Sequence, residues 1–245
     1  RLHFYLAERL GDSDLAGVPA RYLEVLSLEH RDFVAASQLI GAQYLAGSRS
    51  LFDSFDREVV GRYQFKGSFT KTSLATEIRR TLPFYEGFIR GAMTSVEKAI
   101  EVGKGEERFN PKYEVYLPVK EVLYVAKARH GIGHRDLFAL LDRLPVLEPG
   151  HATTYELLNR ALSFVETFRY LNGLVVAQND LVDLSDPEAK KRLLPVAQLM
   201  GFADVDGMLR QYFELRDGAH RGILHLGEDL RQHLDRLNVF RRMAR

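Results

Sequence analysis

The C-terminal part of the chain contains a long regular pattern of apolar side chains. Between residues 204 and 241 they recur at steps of three or four positions: Leu209, Tyr212, Leu215, Ala219, Ile223, Leu226, Leu230, Leu234 and Leu237. This spacing predicts one long amphipathic α-helix. Gly218, Gly222 and Gly227 weaken the prediction, because each costs about 1 kcal/mol relative to alanine inside a helix.

Helical spacing also dominates the rest of the chain, and almost no stretch shows the alternation typical of a strand. Helices are predicted at about residues 1–10, 22–45, 48–63, 74–82, 84–101, 118–130, 137–144 and 153–178. Thr153 with Glu156, and Ser185 with Glu188, have the spacing of capping boxes. Pro195 is expected to break the helix that follows the second box. The predicted fold is a mostly α, multi-helix bundle.

The composition narrows the range of functions. The 245 residues include 34 Lys and Arg against 33 Asp and Glu, so no global charge favours nucleic acid or a membrane surface. The absence of cysteine excludes disulfides and thiolate metal sites and fits a reducing cytoplasm. No apolar run approaches the roughly 18 residues of a spanning helix. Because the chain starts at Arg1 without methionine or a signal peptide, we expect a fragment of a longer protein.

A helix, a glycine turn and a second helix are predicted between residues 109 and 147. Pro118 suits the first position of a helix, where its missing N–H costs nothing. Gly131 is expected to end this helix in the left-handed conformation, with Ile132 packing back on the helix end. A Leu-rich stripe follows and is expected to stop at Pro145. Both helices add to the predicted bundle.

Three segments carry a family resemblance. Residues 42–55 read AQYLAGSRSLFDSF, residues 128–132 read ARHGI before the Leu-rich helix, and residues 188–217 hold a Gln-x-x-Gly-Phe turn and then Leu-x-x-Tyr-Phe. In this order they resemble the end of the catalytic domain, the helical domain behind it and the final helices of bacterial nucleotidyltransferases of the PII-uridylyltransferase type. The resemblance implies that residues 1–65 are a remnant of the catalytic domain, or a helical substitute for its end. Residues 66–245 would then form a helical substrate-binding or regulatory domain.

The catalytic motif of that family is a Gly-Ser turn followed by Asp-x-Asp, whose carboxylates hold Mg²⁺ ions on a nucleoside triphosphate. The Asp-Ser-Asp run at residues 12–14 has no Gly-Ser before it, and the Gly-Ser pair at residues 67–68 has no paired acids after it. The acids at residues 204–206 are better explained as the N-cap and first turn of a helix. We therefore predict no catalytic residue in this chain. Mg²⁺ and the triphosphate would belong to the parent protein.

The resemblance also implies a nucleotide-facing surface where the helical domain begins. Of the family's Asn-x-Lys-x-Gly-x-Gly-Gly-Leu-Arg-Asp run, Asn110 and Lys112 are kept, the glycines are replaced, and Arg-Asp becomes Lys120-Glu121. These four residues are the candidate nucleotide-binding residues. Free N–H groups at a helix start on Pro118 would add to an anion site. The competing interpretation is that these residues cap and solvate a helix start.

Aromatic and histidine residues suggest two further sites. Tyr113, Tyr116 and Tyr124 could stack on a base, although core or subunit packing explains them better. His130 and His134 are four positions apart, a metal-ligand spacing on a helix, but the intervening glycines interrupt any helix there. No metal site is therefore predicted.

Together these observations predict the helical accessory part of a protein nucleotidyltransferase, substrate-binding or regulatory and not catalytic by itself. Its partner would be a regulatory protein or a nucleotide, and neither nucleic acid nor a membrane is expected. The alternative is a non-enzymatic helical interaction scaffold descended from such an enzyme. The sequence does not fix the oligomeric state.

Overall fold

The computed structural model describes residue 44 and residues 46–58, 93–94, 96–97, 107–130, 132, 136–176 and 180–243. Within these ranges the protein has six α-helices and one pair of two-residue strands. The mostly α fold predicted from the sequence is confirmed. The predicted domain boundary at residue 65 and the predicted helices before residue 44 lie outside the described residues.

The elements follow one another in a simple order. They are α1 (Arg49–Glu58), β1 (Arg108–Phe109), a π turn (Lys112–Tyr116), α2 (Leu117–Arg129), α3 (Leu137–Leu147), a 3-10 turn (Pro149–His151), α4 (Ala152–Val175), β2 (Val182–Asp183), α5 (Ala189–Leu199) and α6 (Val205–Met243). The two strands pair antiparallel, with Arg108 opposite Asp183 and Phe109 opposite Val182. The Arg108 Nε also donates to Asp183 Oδ2 over 2.8 Å, so a side-chain hydrogen bond adds to the backbone pairing of the two strands.

The described residues fall into two compact units. Unit A contains described residues of 89–123 and 141–231, and unit B contains those of 44–58, 124–140 and 232–243. The core of unit A is built mainly from α4 and α6. Its buried apolar side chains include Tyr155, Leu158, Ala161, Leu162, Val165 and Phe168 of α4, and Leu209, Tyr212, Leu215, Ala219, Ile223, Leu226 and Leu230 of α6. The long amphipathic helix predicted from residues 204–241 is thus confirmed.

The glycines of α6 lie where other side chains approach its backbone closely. A Cβ atom added at Gly222 would lie 2.9 Å from the Thr154 Cγ2, and one at Gly218 would lie 3.1 Å from Leu157. Real Cβ atoms essentially never approach a neighbour within 3.0 Å, and a separation of 3.1 Å is tighter than nine in ten of their contacts. The close packing of α4 on α6 therefore offsets the helix propensity that these glycines lose.

Two predicted helix caps are wrong. Thr153 is the second residue of α4, which continues from the 3-10 turn, and the preceding His151 makes no side-chain cap bond. Ser185 does not cap α5, because α5 begins at Ala189 and the Glu188 N–H donates to Asp186 Oδ1 over 2.9 Å. In both places a neighbouring turn supplies the partners that a capping box would provide.

Two prolines that were expected to end helices lie inside them. Pro195 is within α5 and Pro145 is within α3. Leu193 and Val196 on either side of Pro195 are buried, so packing maintains the helix across the lost N–H. The N–H of Glu148 donates to the Leu144 carbonyl over 2.8 Å, which continues the helical pattern beyond Pro145.

In unit B, one part of the turn predicted after α2 is confirmed, the return of Ile132 onto the helix end. The Ile132 N–H donates to the Lys127 carbonyl over 3.0 Å, the long return bond of a Schellman motif. Ile132 is buried, as expected of a residue that packs back on the helix end. The conformation predicted for Gly131 lies outside the described residues.

Candidate functional site

Asn110 caps a helix that begins earlier than predicted. Its Oδ1 accepts the N–H of Tyr113 over 3.3 Å, and its own N–H donates to Glu114 Oε1 over 2.6 Å. These reciprocal bonds work as a capping box does. Helical backbone runs without interruption from Pro111, so the predicted helix start at Pro118 is wrong. Pro118 therefore has no free helix-start N–H groups beside it, and that part of the predicted anion site is corrected.

A π turn precedes Pro118. The N–H of Leu117 donates to the Lys112 carbonyl, five residues back instead of four. In a regular α-helix the N–H of residue 118 would reach the Glu114 carbonyl, but proline has no N–H. The Nε2 of His220 donates to this carbonyl oxygen over 2.7 Å. A bond from α6 thus replaces the one that Pro118 cannot make.

Three of the four predicted site residues influence one another electrostatically. Burial lowers the pKa of Lys120, the nearby Glu121 carboxylate opposes this, and the Lys112 ammonium lowers the pKa further. Burial raises the pKa of Glu121 to about 7, against the attraction of Lys120. The Glu121 Oε2 is buried without a hydrogen-bond partner. Near neutral pH a large share of Glu121 is therefore uncharged, and the two lysines give this surface a net positive charge.

The guanidinium of Arg169 lies over the ring of Tyr116, one of the tyrosines considered for stacking on a base. The Arg169 Cζ lies 4.9 Å from the centre of its ring. Arg169 in turn donates to Asp180 Oδ1 over 2.7 Å and to Glu166 Oε1 over 2.9 Å. Tyr113 remains 58% exposed, with the Lys112 Nζ 5.4 Å from its ring centre. Tyr113 is therefore the better candidate for stacking on a base.

A buried polar network holds the side chain of Glu114 on α6. Its Oε2 accepts the Tyr212 hydroxyl over 3.0 Å and the Arg216 Nη1 over 3.5 Å. Burial raises the pKa of Tyr212 well above its ordinary value and lowers the pKa of His220. Sequence analysis missed this network. Its one visible trace was the spacing of four between Tyr212, Arg216 and His220 along the apolar stripe.

An open groove of about 810 Å³ lies in unit A beside α4. Its apolar lining includes Phe164, Phe202 and Leu215, and the two phenylalanine rings meet edge-on with centres 6.0 Å apart. Asn159 and Gln211 supply amide groups. Glu156 and Arg160 add one negative and one positive charge to the lining. This mixture of aromatic, polar and balanced charged side chains suits a peptide-like partner better than a highly charged one.

The described part of the chain contains neither a metal-ligand cluster nor a membrane-spanning helix. No group of three or more His, Cys, Asp or Glu side chains there is arranged to hold a metal ion. His130 directly follows the last residue of α2, while His134 lies outside the described residues. No helix within the described ranges has the length and apolar composition needed to cross a bilayer.

Comparison of the chain with protein-family models, with curated proteins and with solved structures found no significant match. The resemblance to nucleotidyltransferases therefore depends on the sequence segments that carry it. The functional argument depends on the electrostatics of Lys112, Lys120 and Glu121 and on the exposed ring of Tyr113 beside Lys112.

Proposed function

We propose that the chain is the helical accessory part of a protein nucleotidyltransferase, substrate-binding or regulatory, and that it binds a nucleotide. The observation that carries the proposal is a group of neighbouring side chains: the Lys112 Nζ lies 5.4 Å from the centre of the exposed Tyr113 ring, the Lys112 ammonium lowers the pKa of Lys120, and Glu121 has a pKa of about 7. Two ammonium groups next to a carboxyl group that is easily neutralised suit a phosphate group. The proposed location is the cytoplasm, which fits a sequence without cysteine.

In this proposal Lys112 and Lys120 hold the phosphates and Tyr113 offers its exposed ring to the base. A bound anion would raise the pKa of Glu121 further, so binding would take up a proton near neutral pH. The chemistry of nucleotide transfer, with its Mg²⁺ ions and carboxylates, would belong to other residues of the parent protein. We expect this chain, given Mg²⁺ and UTP or ATP, to transfer no nucleotide to a protein.

Calorimetric titration with ATP and UTP tests the proposal. We expect binding at millimolar concentration or below, and its loss in the double variant Lys112→Ala/Lys120→Ala. The matched control is Lys190→Ala/Lys191→Ala, which removes two exposed lysines of α5 that already pair with Asp206 and Glu188. If the native chain binds neither nucleotide, or if both double variants lose binding equally, the proposal is wrong.

The second candidate function is a non-enzymatic helical interaction scaffold. Two observations favour it: Asn110, a residue that the resemblance would place at a nucleotide, caps a helix, and the groove beside α4 has few charges. A scaffold would bind a protein partner and no nucleotide. Absence of nucleotide binding in the titration, with the chain folded, would therefore make the scaffold the preferred function.

A further inference from the structure

We infer that the π turn at Lys112–Tyr116 is a positioning element, which places Lys112 and Lys120 on one face of a continuous helix and is held by Pro118 and His220. The role of this face in binding a phosphate group rests on the proposed function. The geometric part of the inference does not, because it follows from the backbone and its hydrogen bonds.

The alignment of the two lysines follows from helix geometry. They are eight positions apart, and in a regular α-helix a separation of seven positions returns to nearly the same face. A π turn adds one residue to one turn, so eight positions across it are equivalent to seven. The half-buried Tyr116 lies between the lysines along the same face. If the turn became regular α-helix, Lys112 would rotate by about 100° away from Lys120.

Two features maintain the π turn. Pro118 cannot supply the N–H that would draw the Glu114 carbonyl into a regular α-helical bond. His220, only 3% exposed, supplies the replacement donor at 2.7 Å. The Glu114 side chain is bound to Tyr212 and to the N–H of Asn110, so the middle of the turn is fixed through both its backbone and its side chain.

The inference is tested with Pro118→Ala/His220→Leu, which restores the N–H at residue 118 and removes the competing donor. The readout is the titration of the Lys120 ammonium by NMR, with and without Lys112→Met. In the native chain, Lys112→Met should raise the pKa of Lys120, because it removes a like charge. In the double variant it should have no effect, because Lys112 has already rotated away.

Two controls separate a positioning role from general damage. Pro195→Ala restores an N–H in α5, away from the π turn, and should leave the effect of Lys112→Met unchanged. His220→Gln keeps an N–H donor. In a chain that retains Pro118, this variant should still show the rise of the Lys120 pKa that Lys112→Met causes. Should the double variant not fold, the same titration is made on Pro118→Ala alone. If Lys112→Met raises the pKa of Lys120 by the same amount in the native chain and in Pro118→Ala/His220→Leu, the inference is overturned.

Nucleotide binding is measured on the same variants. If the native chain binds ATP or UTP, Pro118→Ala/His220→Leu should weaken binding by about tenfold or more, because one of two charged contacts is lost. Unchanged affinity would overturn the positioning role. If the native chain binds no nucleotide, the proposed function fails, while the Lys120 titration still decides whether the π turn aligns the lysines.

Discussion

Lys127 should destabilise this protein at neutral pH, and replacing it with methionine should stabilise the fold. Its side chain is 1% exposed, and its Nζ has no hydrogen-bond partner. Among the described residues a favourable contact comes from the Tyr124 ring, whose centre lies 5.9 Å from the Nζ. Burial lowers the pKa of Lys127 from 10.5 to about 8. Methionine keeps most of the apolar stem and removes the charge.

The size of the effect follows from linkage between protonation and folding. A pKa that is lowered by folding means that the charged form is the less stable one in the native state, so stability rises as pH increases from about 8 to 10.5. A shift from 10.5 to about 8 corresponds to about 3 kcal/mol at pH 7, about 2 kcal/mol at pH 9 and about 1 kcal/mol at pH 10. Lys127→Met should be more stable than the native chain by up to these amounts, and the advantage should shrink as pH rises.

The free energy of unfolding is measured by urea unfolding followed by far-UV circular dichroism, because the chain has no tryptophan to serve as a fluorescent probe. The native chain and Lys127→Met are compared at several pH values between 7 and 10. The titration of groups that both proteins contain then cancels in the difference between their free energies of unfolding. Lys190→Met, at an exposed lysine paired with Asp206, is the control and should change stability little at any pH. A Lys127→Met variant that is no more stable at pH 7, or whose advantage does not depend on pH, would refute the reasoning.

Three further predictions concern stability and use the same assay. Gly222→Val should cost about 2–4 kcal/mol, because a Cβ would meet Thr154 at 2.9 Å, whereas Gly173→Ala at an open position of α4 should be neutral or stabilising. Gly131→Val should cost about 1–2 kcal/mol or more if the turn closed by Ile132 needs a left-handed residue, and an unchanged urea midpoint would contradict this. Glu121→Gln should add up to about 3 kcal/mol at pH 7 and above and nothing below about pH 4, because the raised pKa makes stability fall as pH rises from about 4.5 to 7.

The features that sequence analysis predicted correctly depend on local periodicity. The stripe on α6 was long enough that its glycines did not obscure it, and Asp204 caps the helix as expected, accepting the Gly207 N–H over 2.7 Å. The Ile132 bond at the end of α2 also follows from a local pattern of helix, glycine and apolar residue. In these cases the decisive interactions join residues a few positions apart.

The parts of the candidate site that were missed depend on contacts between distant residues. Arg169 covers Tyr116 from α4, and His220 reaches the Glu114 carbonyl from α6. A single sequence contains no relation between such positions. The four candidate residues were chosen by resemblance, and the structure relates three of them electrostatically while giving Asn110 a capping role.

The prolines show how a local rule can correctly predict the loss of a backbone hydrogen bond and still predict the wrong structure. Each internal proline leaves the carbonyl four residues earlier without its helical donor, and the outcome depends on what replaces that donor. For Pro195 the carbonyl belongs to Lys191, an exposed residue, so water can supply the bond. For Pro118 the carbonyl belongs to Glu114, and the buried His220 supplies it. In the first case the proline is tolerated in an α-helix. In the second, the helix gains a π turn whose register depends on a residue more than a hundred positions away.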